Sequence, residues 1–212
     1  MKVRIFGLAA LAAALMLTAS AHAAAPAVAA PAGGVAASTP EATFDGMKKA
    51  AAKKDWAGFA SGLSSGSQDL MIGAFSMMSM PGIPGSDKLK GVSEVMTKHG
   101  VKPISLNDIV AVGGDQGKVM DLISKSGENV KDKSACIGDV MGWMEKNADK
   151  DSPIKTEFKA DEIAASTISD VKIDGNKATA MIKSKKDKPD EVDFQKIDGK
   201  WYMDMAAKLH KK

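Results

Sequence analysis

The C-terminal stretch 168–205 constrains the fold more than any other part of the chain. Apolar and polar residues alternate on both sides of Asp174-Gly175-Asn176, which is typical of two strands joined by a tight turn. Asp-Gly and Gly-Asn supply the positive φ values that such a turn requires. The words Lys-Ile-Asp-Gly recur at 196–199, and large apolar residues then follow on one face: Trp201, Met203 and Met205. The stretch therefore predicts an antiparallel strand meander.

Helical signals come before the meander. Thr39 is a suitable cap, Pro40 suits the first helical position, and apolar residues then recur at helical spacing to about Lys54. Asp55 is placed to cap a short second helix. Further segments are predicted as helices at 67–80, 87–99, 115–126 and 134–146, and as a first strand at 154–158. This order predicts an α+β fold, with N-terminal helices packed on one side of a C-terminal antiparallel sheet.

The first 23 residues have the three parts of a secretory signal. Lys2 and Arg4 form a basic start, an apolar core follows at 5–17, and Ala21-His22-Ala23 is a small-x-small cleavage site. We therefore expect a signal peptide at 1–23, an Ala/Pro-rich linker at 24–38, a single α+β domain at 39–206 and a basic tail at 207–212. The chain is expected to be exported, to the periplasm or beyond the cell, with no membrane span once the signal is removed.

The charge pattern argues against nucleic-acid binding. The formal net charge is +3, and loss of Lys2 and Arg4 with the signal would leave the chain close to neutral. Arg4 is also the only arginine in the sequence. Because the planar guanidinium fork is the preferred group for bidentate recognition of phosphate and guanine, a chain with lysine alone is poorly suited to reading nucleic acid.

Motifs for catalysis or cofactor binding are absent from the sequence. It contains no HExxH, no CxxC, no phosphate-binding glycine motif and no nucleophile elbow. Cys136 is the only cysteine, and it lies in a helical pattern with other apolar residues. We interpret it as a small buried hydrophobe, with a reactive thiol or an intermolecular disulfide as the alternative. The sequence thus predicts no catalytic residue and no cofactor.

Methionines offer one candidate metal site. The chain has 14 methionines, and a cluster precedes Pro81 that includes Met77, Met78 and Met80. Thioethers select Cu(I), so this cluster is a candidate for copper handling. The alternative is that methionine fills gaps on the apolar face of a helix, which is its commoner role.

The chain resembles a known superfamily at both ends. A capped helix ends in Lys53-Lys54-Asp55-Trp56, and a meander ends with the segment from Phe194 to Trp201. Both features are similar to those of the nuclear transport factor two-like (SnoaL-like) superfamily. The resemblance covers about 39–65 and 154–205, with 66–152 longer and more helical. It implies a cone in which a curved sheet wraps a long helix. Members include isomerases, dehydratases and binding domains, so the resemblance implies no one activity.

Three functions follow as hypotheses. The first is a non-enzymatic exported domain that binds a small apolar ligand or a protein partner on the concave face of its sheet, with Trp201 and Tyr202 as candidate ligand-binding residues. The second is an enzyme of the same superfamily, of isomerase or dehydratase type, with a carboxylate inside the cone. The third is periplasmic Cu(I) handling through Met77, Met78 and Met80. Ligand, partner and oligomeric state are left open.

Overall fold

A computed structural model of the protein describes residues 34–82, 86–113, 115–147, 160–184 and 188–207. Eight α-helices and a four-stranded antiparallel sheet are formed in these ranges. The helices are α1 (Pro40–Ala52), α2 (Trp56–Ala60), α3 (Ser65–Met78), α4 (Lys90–Lys98), α5 (Leu106–Ala111), α6 (Gln116–Ser126), α7 (Lys133–Asn147) and α8 (Ala160–Ala164), with a 3-10 helix at Ser86–Leu89. The strands are β1 (Thr167–Asp174), β2 (Lys177–Lys183), β3 (Asp190–Ile197) and β4 (Lys200–Met203). The predicted α+β class, with helices first and the sheet last, is confirmed.

Local capping fixes the start of the first helices. The Thr39 hydroxyl accepts a hydrogen bond from the backbone N–H of Ala42 at 3.1 Å, and Pro40 occupies the first position of α1. The Asp55 carboxylate caps α2 in the same way, accepting from the backbone N–H of Gly58 at 2.8 Å. Both caps were predicted and are confirmed. Helix α1 ends at Ala52, two residues before the predicted limit.

The buried face of α3 differs from the predicted one. Helical spacing in the sequence predicts Leu70, Ala74, Met77 and Met78 as the apolar face of this helix, but these four are only half-buried. The residues that α3 buries are instead Met71, Ile72 and Phe75, and the helix begins at Ser65 rather than at 67. Helix α3 packs against α6 on one side and α7 on another. A helix covered on several sides is apolar around much of its circumference, so periodicity does not single out one face.

Two helices were not predicted, and some predicted segments lie outside the described residues. Helices α5 and α8 were not predicted from the sequence. The strand expected at 154–158, the signal peptide, the linker up to residue 33, and residues 208–212 of the basic tail are outside the described ranges. In the described part, the first strand is β1 at Thr167–Asp174.

The sheet is a meander in the order β1-β2-β3-β4, as predicted. Gly175 has a φ of +57° in the turn between β1 and β2. Asp198 and Gly199 have φ values of +50° and +79° in the turn between β3 and β4. Positive φ at both central residues is the geometry of a two-residue hairpin whose twist matches that of its strands. Both predicted turns are present: in the second, both central residues have positive φ, and in the first, of the central residues Gly175 and Asn176, only Gly175 does.

One large cluster of buried side chains joins the two ends of the described chain. It contains Phe44 and Met47 of α1 together with Phe194, Trp201 and Met203 of the last two strands. The fully buried Thr43 hydroxyl donates to the carbonyl oxygen of Trp201 at 2.9 Å, so α1 is also hydrogen-bonded to β4. A second core cluster, which lies between α3, α6 and the segment before α5, consists of Met80, Ile104, Val119 and Ile123. No helix in the described ranges is long and apolar enough to span a bilayer.

Candidate functional site

A group of buried polar side chains lies at the start of α3. Ser64, Ser65, Ser67 and Gln68 are each exposed by 9% or less. Burying a hydroxyl or amide is unfavourable unless it is hydrogen-bonded, so the partners of these groups decide what the cluster does. The sequence predicts only that a helix starts at about Ser67, because the burial of these side chains depends on elements far away in the chain.

Asp204 binds the first part of this polar group. The Asp204 carboxylate accepts from the Ser64 hydroxyl at 3.1 Å and from the Ser67 hydroxyl at 3.3 Å. The Ser67 hydroxyl oxygen in turn accepts from the backbone N–H of Met205 at 2.8 Å. These bonds attach the first turn of α3 to the chain that leaves β4. The two hydroxyls and the carboxylate are thus used in contacts between these two segments, so this part of the cluster is a structural connection.

Lys133 of α7 binds two other side chains of the first turns of α3, Ser65 and Asp69. Its ammonium group lies 2.7 and 2.8 Å from the two carboxylate oxygens of Asp69 and donates to the Ser65 hydroxyl at 3.0 Å. A serine beside a lysine can form a nucleophile and its base, but only when the lysine is neutral. Here Lys133 is instead the hydrogen-bond donor to both the Ser65 hydroxyl and the Asp69 carboxylate, so its ammonium group is bound in a contact between two helices. The cluster is therefore suited to holding α3 and α7 together.

Burial gives Asp69 an unusual dependence on pH. Desolvation raises the pKa of the Asp69 carboxyl above its ordinary value of 3.8, and the hydrogen bond from Lys133 offsets part of that rise. A carboxyl whose pKa is raised by folding favours the folded state below its ordinary pKa. It loses that contribution as the pH rises through the raised value. Asp108 is the opposite case, because hydrogen bonds from Ser105 lower the pKa of its carboxyl.

We expect Asp69→Asn and Asp108→Asn to show opposite pH trends. As the pH rises from about 3 to 6, across the ordinary range of aspartate, the stability advantage of the wild type over Asp69→Asn should fall. The advantage over Asp108→Asn should grow over the same range. Urea titrations of the three proteins at several pH values measure both trends. Parallel trends would contradict the assigned cause of the Asp69 shift.

Cys136 is fully buried, and this confirms its interpretation as a packed hydrophobe. Burial, with smaller contributions from Asp139 and Asp132, raises the pKa of its thiol to about 12. A thiol with this pKa stays protonated at neutral pH and is a poor nucleophile. One helical turn further along, Asp139 lies 2.8 Å from the Nε2 atom of His99 at the end of α4. This surface contact links α4 to α7.

The three candidate methionines belong to two different clusters. Met80 is 2% exposed in the second core cluster, and Met77 packs against the same cluster. Met78 packs instead against the large cluster. Across the described ranges, no group of three His, Cys, Asp or Glu side chains is placed to hold a metal ion. The placement of the methionines is that of side chains that fill irregular gaps in the core.

Trp201 and Tyr202 are both buried, on opposite faces of β4. Each side chain is 2% exposed. Trp201 belongs to the large cluster, and the Lys196 ammonium lies 5.8 Å from the centre of its ring. Successive strand residues point to opposite faces, so Tyr202 lies on the side of the sheet away from α1. Burial raises the pKa of the Tyr202 hydroxyl, with Asp198 adding to the effect.

A small cavity lies beside the second core cluster. Its volume is about 20 Å³, and its lining includes Ser76, Met80, Met96 and Ile104. A space of this size holds about one water molecule. The Ser76 hydroxyl in its wall already accepts from the backbone N–H of Ile104 at 3.1 Å. This cavity is too small for an organic ligand.

An exposed apolar surface is present on α5. Leu106 and Val110 are 48% and 74% exposed, and they lie one helical turn apart on the same side of the helix. A reciprocal capping box holds the helix start: the Ser105 hydroxyl accepts from the backbone N–H of Asp108, whose carboxylate accepts from the backbone N–H of Ser105. Ile109, which lies between Leu106 and Val110 in the sequence, packs against the second core cluster. We call Leu106 and Val110 the α5 apolar surface.

This surface was missed in the sequence analysis, although a signal for it was present. Ser105-x-x-Asp108 ahead of Ile109-Val110 is a capping-box pattern followed by apolar residues. No known protein family, curated protein or solved structure matches the chain.

Proposed function

We propose that this protein is an exported, non-enzymatic domain that binds a protein partner through the α5 apolar surface. The exposure of Val110 to 74% beside Leu106, on a helix with a completed cap, is the observation that carries this proposal. Single exposed apolar residues are common on protein surfaces, whereas contiguous exposed apolar patches mark interaction sites. A fixed helix also loses little conformational freedom on association.

The face of the sheet that packs on α1 offers less support for the binding of a small ligand. The residues that β2, β3 and β4 direct toward α1 are packed into the large cluster, with Phe194 and Trp201 each 2% exposed. Side chains of α1 occupy the position in which the sequence analysis expected a small apolar ligand. We therefore favour the protein-partner form of the binding hypothesis and place the partner at α5 rather than on the sheet.

The enzyme alternative gains no comparable support from the described residues. An active site would need ionisable groups that converge on a space open to substrate. Asp69 and Asp204, which are half-buried, serve structural contacts instead: Asp69 binds Lys133, and Asp204 binds the first turn of α3. Kinship with the nuclear transport factor two-like superfamily likewise stays a proposal, supported by the packing of a capped N-terminal helix against a C-terminal meander.

A competition experiment tests the binding proposal. Immobilised wild-type protein is incubated with an extract of the native cell, and retained proteins are eluted with an excess of free protein. Wild type and a control with two added charges on α1, Ala42→Glu/Ala52→Glu, should both release the partner. Leu106→Glu/Val110→Glu should release none. The proposal fails if the α5 variant competes as well as the control, or if no retained protein is released by the wild type.

Export makes a separate prediction. If residues 1–23 are a signal peptide, cleavage should follow Ala23, because the small-x-small pattern ends there. N-terminal sequencing of the protein purified from its native cell should then begin at Ala24. An abundant species that retains Met1 would contradict export through this signal.

A further inference from the structure

The two edge strands of the sheet differ in what lies against their outer edges. On β4, the backbone N–H of Trp201 donates to the carbonyl of Ala37 at 2.8 Å, and the N–H of Met203 donates to the carbonyl of Gly62 at 2.9 Å. The carbonyl of Met203 also accepts, from the N–H of Ser64 at 2.9 Å. The outer edge of β4 is thus occupied by segments of the same chain. Among the residues that the structure describes, the other edge of the sheet is β1.

β1 carries a bulge where it pairs with β2. Ser169 is opposite Met181 and Lys172 is opposite Thr179, so two residues of β1 face the single residue Ala180. The extra residue is Asp170, whose φ of +51° is in the left-handed region. Its carboxylate accepts a hydrogen bond from the Ser169 hydroxyl at 3.0 Å. Aspartate tolerates this conformation better than most residues, but it remains an unusual one.

The core does not need this extra residue. Ile168 and Val171 are three positions apart, and both pack against the large cluster because the bulge intervenes. Without Asp170, strict alternation would keep both on that face, and the pairs of Ser169 with Met181 and Lys172 with Thr179 would be unchanged. Without Asp170, β1 would be a regular strand that lacks the bend and the added twist of a bulge. Near its end it would carry Ile173, which is 58% exposed.

We propose that the Asp170 bulge prevents β1 from pairing with β1 of a second copy of this chain. A regular edge strand presents a row of backbone N–H and C=O groups to which another strand can add. A bulge breaks this row, bends the strand and increases its twist. The exposed Lys172 beside it adds a charge that opposes the approach of an identical strand. Removal of the bulge would therefore join two copies through antiparallel β1 strands.

Deletion of Asp170 in the full chain tests this role. Sedimentation velocity over a range of concentrations should show wild type unchanged and the deletion variant shifting to a dimer or larger species. Hydrogen exchange of the β1 amides should slow by about tenfold or more in the deletion variant, as expected for newly bonded backbone groups. Asp170→Gly is the matched control, because glycine retains the bulge conformation and should behave as wild type.

A second variant guards against poor folding of the deletion. Asp170→Val keeps the chain length but disfavours positive φ, and it should show the same association with weaker protection of β1. Folded variants that do not associate would overturn the proposal, as would association that leaves the β1 amides unprotected. Wild type that already pairs through β1 would also overturn it. Loss of the native sheet in both variants would show that the fold itself needs the bulge, and would overturn it equally.

Discussion

Replacing Trp201 with alanine should lower the free energy of unfolding by about 3–5 kcal/mol, the range for emptying a buried aromatic site. Its side chain is 2% exposed and lies in the cluster that contains Phe44 and Met47 of α1. The loss would therefore loosen the contact between the first helix and the last strand. A urea titration monitored by circular dichroism measures the effect, because this signal does not depend on tryptophan fluorescence.

Lys200→Ala is the matched control for this substitution. Lys200 precedes Trp201 in β4 and is exposed, so its truncation should change stability by about a few tenths of a kcal/mol. A loss below about 1 kcal/mol for Trp201→Ala, the scale of a partly exposed position, would contradict the core assignment. Trp201 would then return to the candidate ligand-binding residues.

Gly73→Ala should be strongly destabilising although it adds only one methyl group. The new Cβ would overlap the carbonyl oxygen and the Cγ2 atom of Ile123, because α3 and α6 approach closely at this glycine. A backbone oxygen cannot move aside as a flexible side chain can. Forcing the two helices apart should cost about 1–3 kcal/mol or more, as in other overpacked cores.

Gly142→Ala provides the control with the opposite sign. Gly142 is also inside a helix, α7, and an added Cβ there would meet no atom within 4 Å. Alanine reduces the freedom of the unfolded chain, so this change should stabilise the protein by about 0.4–1 kcal/mol. Thermal unfolding of both variants compares them directly. Equal effects of the same sign would contradict the close packing of α3 against α6.

The parts of the fold that the sequence predicted correctly are those determined by neighbouring residues. The Asp198-Gly199 turn needs only residues that adopt positive φ, and the structure has both in that region. The caps at Thr39 and Asp55 bond to backbone groups three residues away. Short-range chemistry of this kind is present in the sequence itself. From these short-range signals, the sequence correctly predicts the meander and the first two helices.

Features that depend on distant partners could not be predicted in this way. Ser67 and Asp204 are 137 positions apart, and only folding brings the hydroxyl to the carboxylate. The polar group at the start of α3 therefore had no recognisable pattern. The bulge at Asp170 is an intermediate case: the three-residue spacing of Ile168 and Val171 is visible, but its meaning requires the register with β2.

The central claim concerning function is that binding occurs at α5 and not on the sheet. Site-specific photo-cross-linking in the native cell tests it most directly, with the probe placed at Val110, at the exposed Lys118 of α6, or at the exposed Lys177 of β2. We predict a discrete cross-linked partner from position 110, lost when Leu106 is also changed to Glu, and none from positions 118 and 177. A partner captured from position 177 and not from position 110 would contradict the claim.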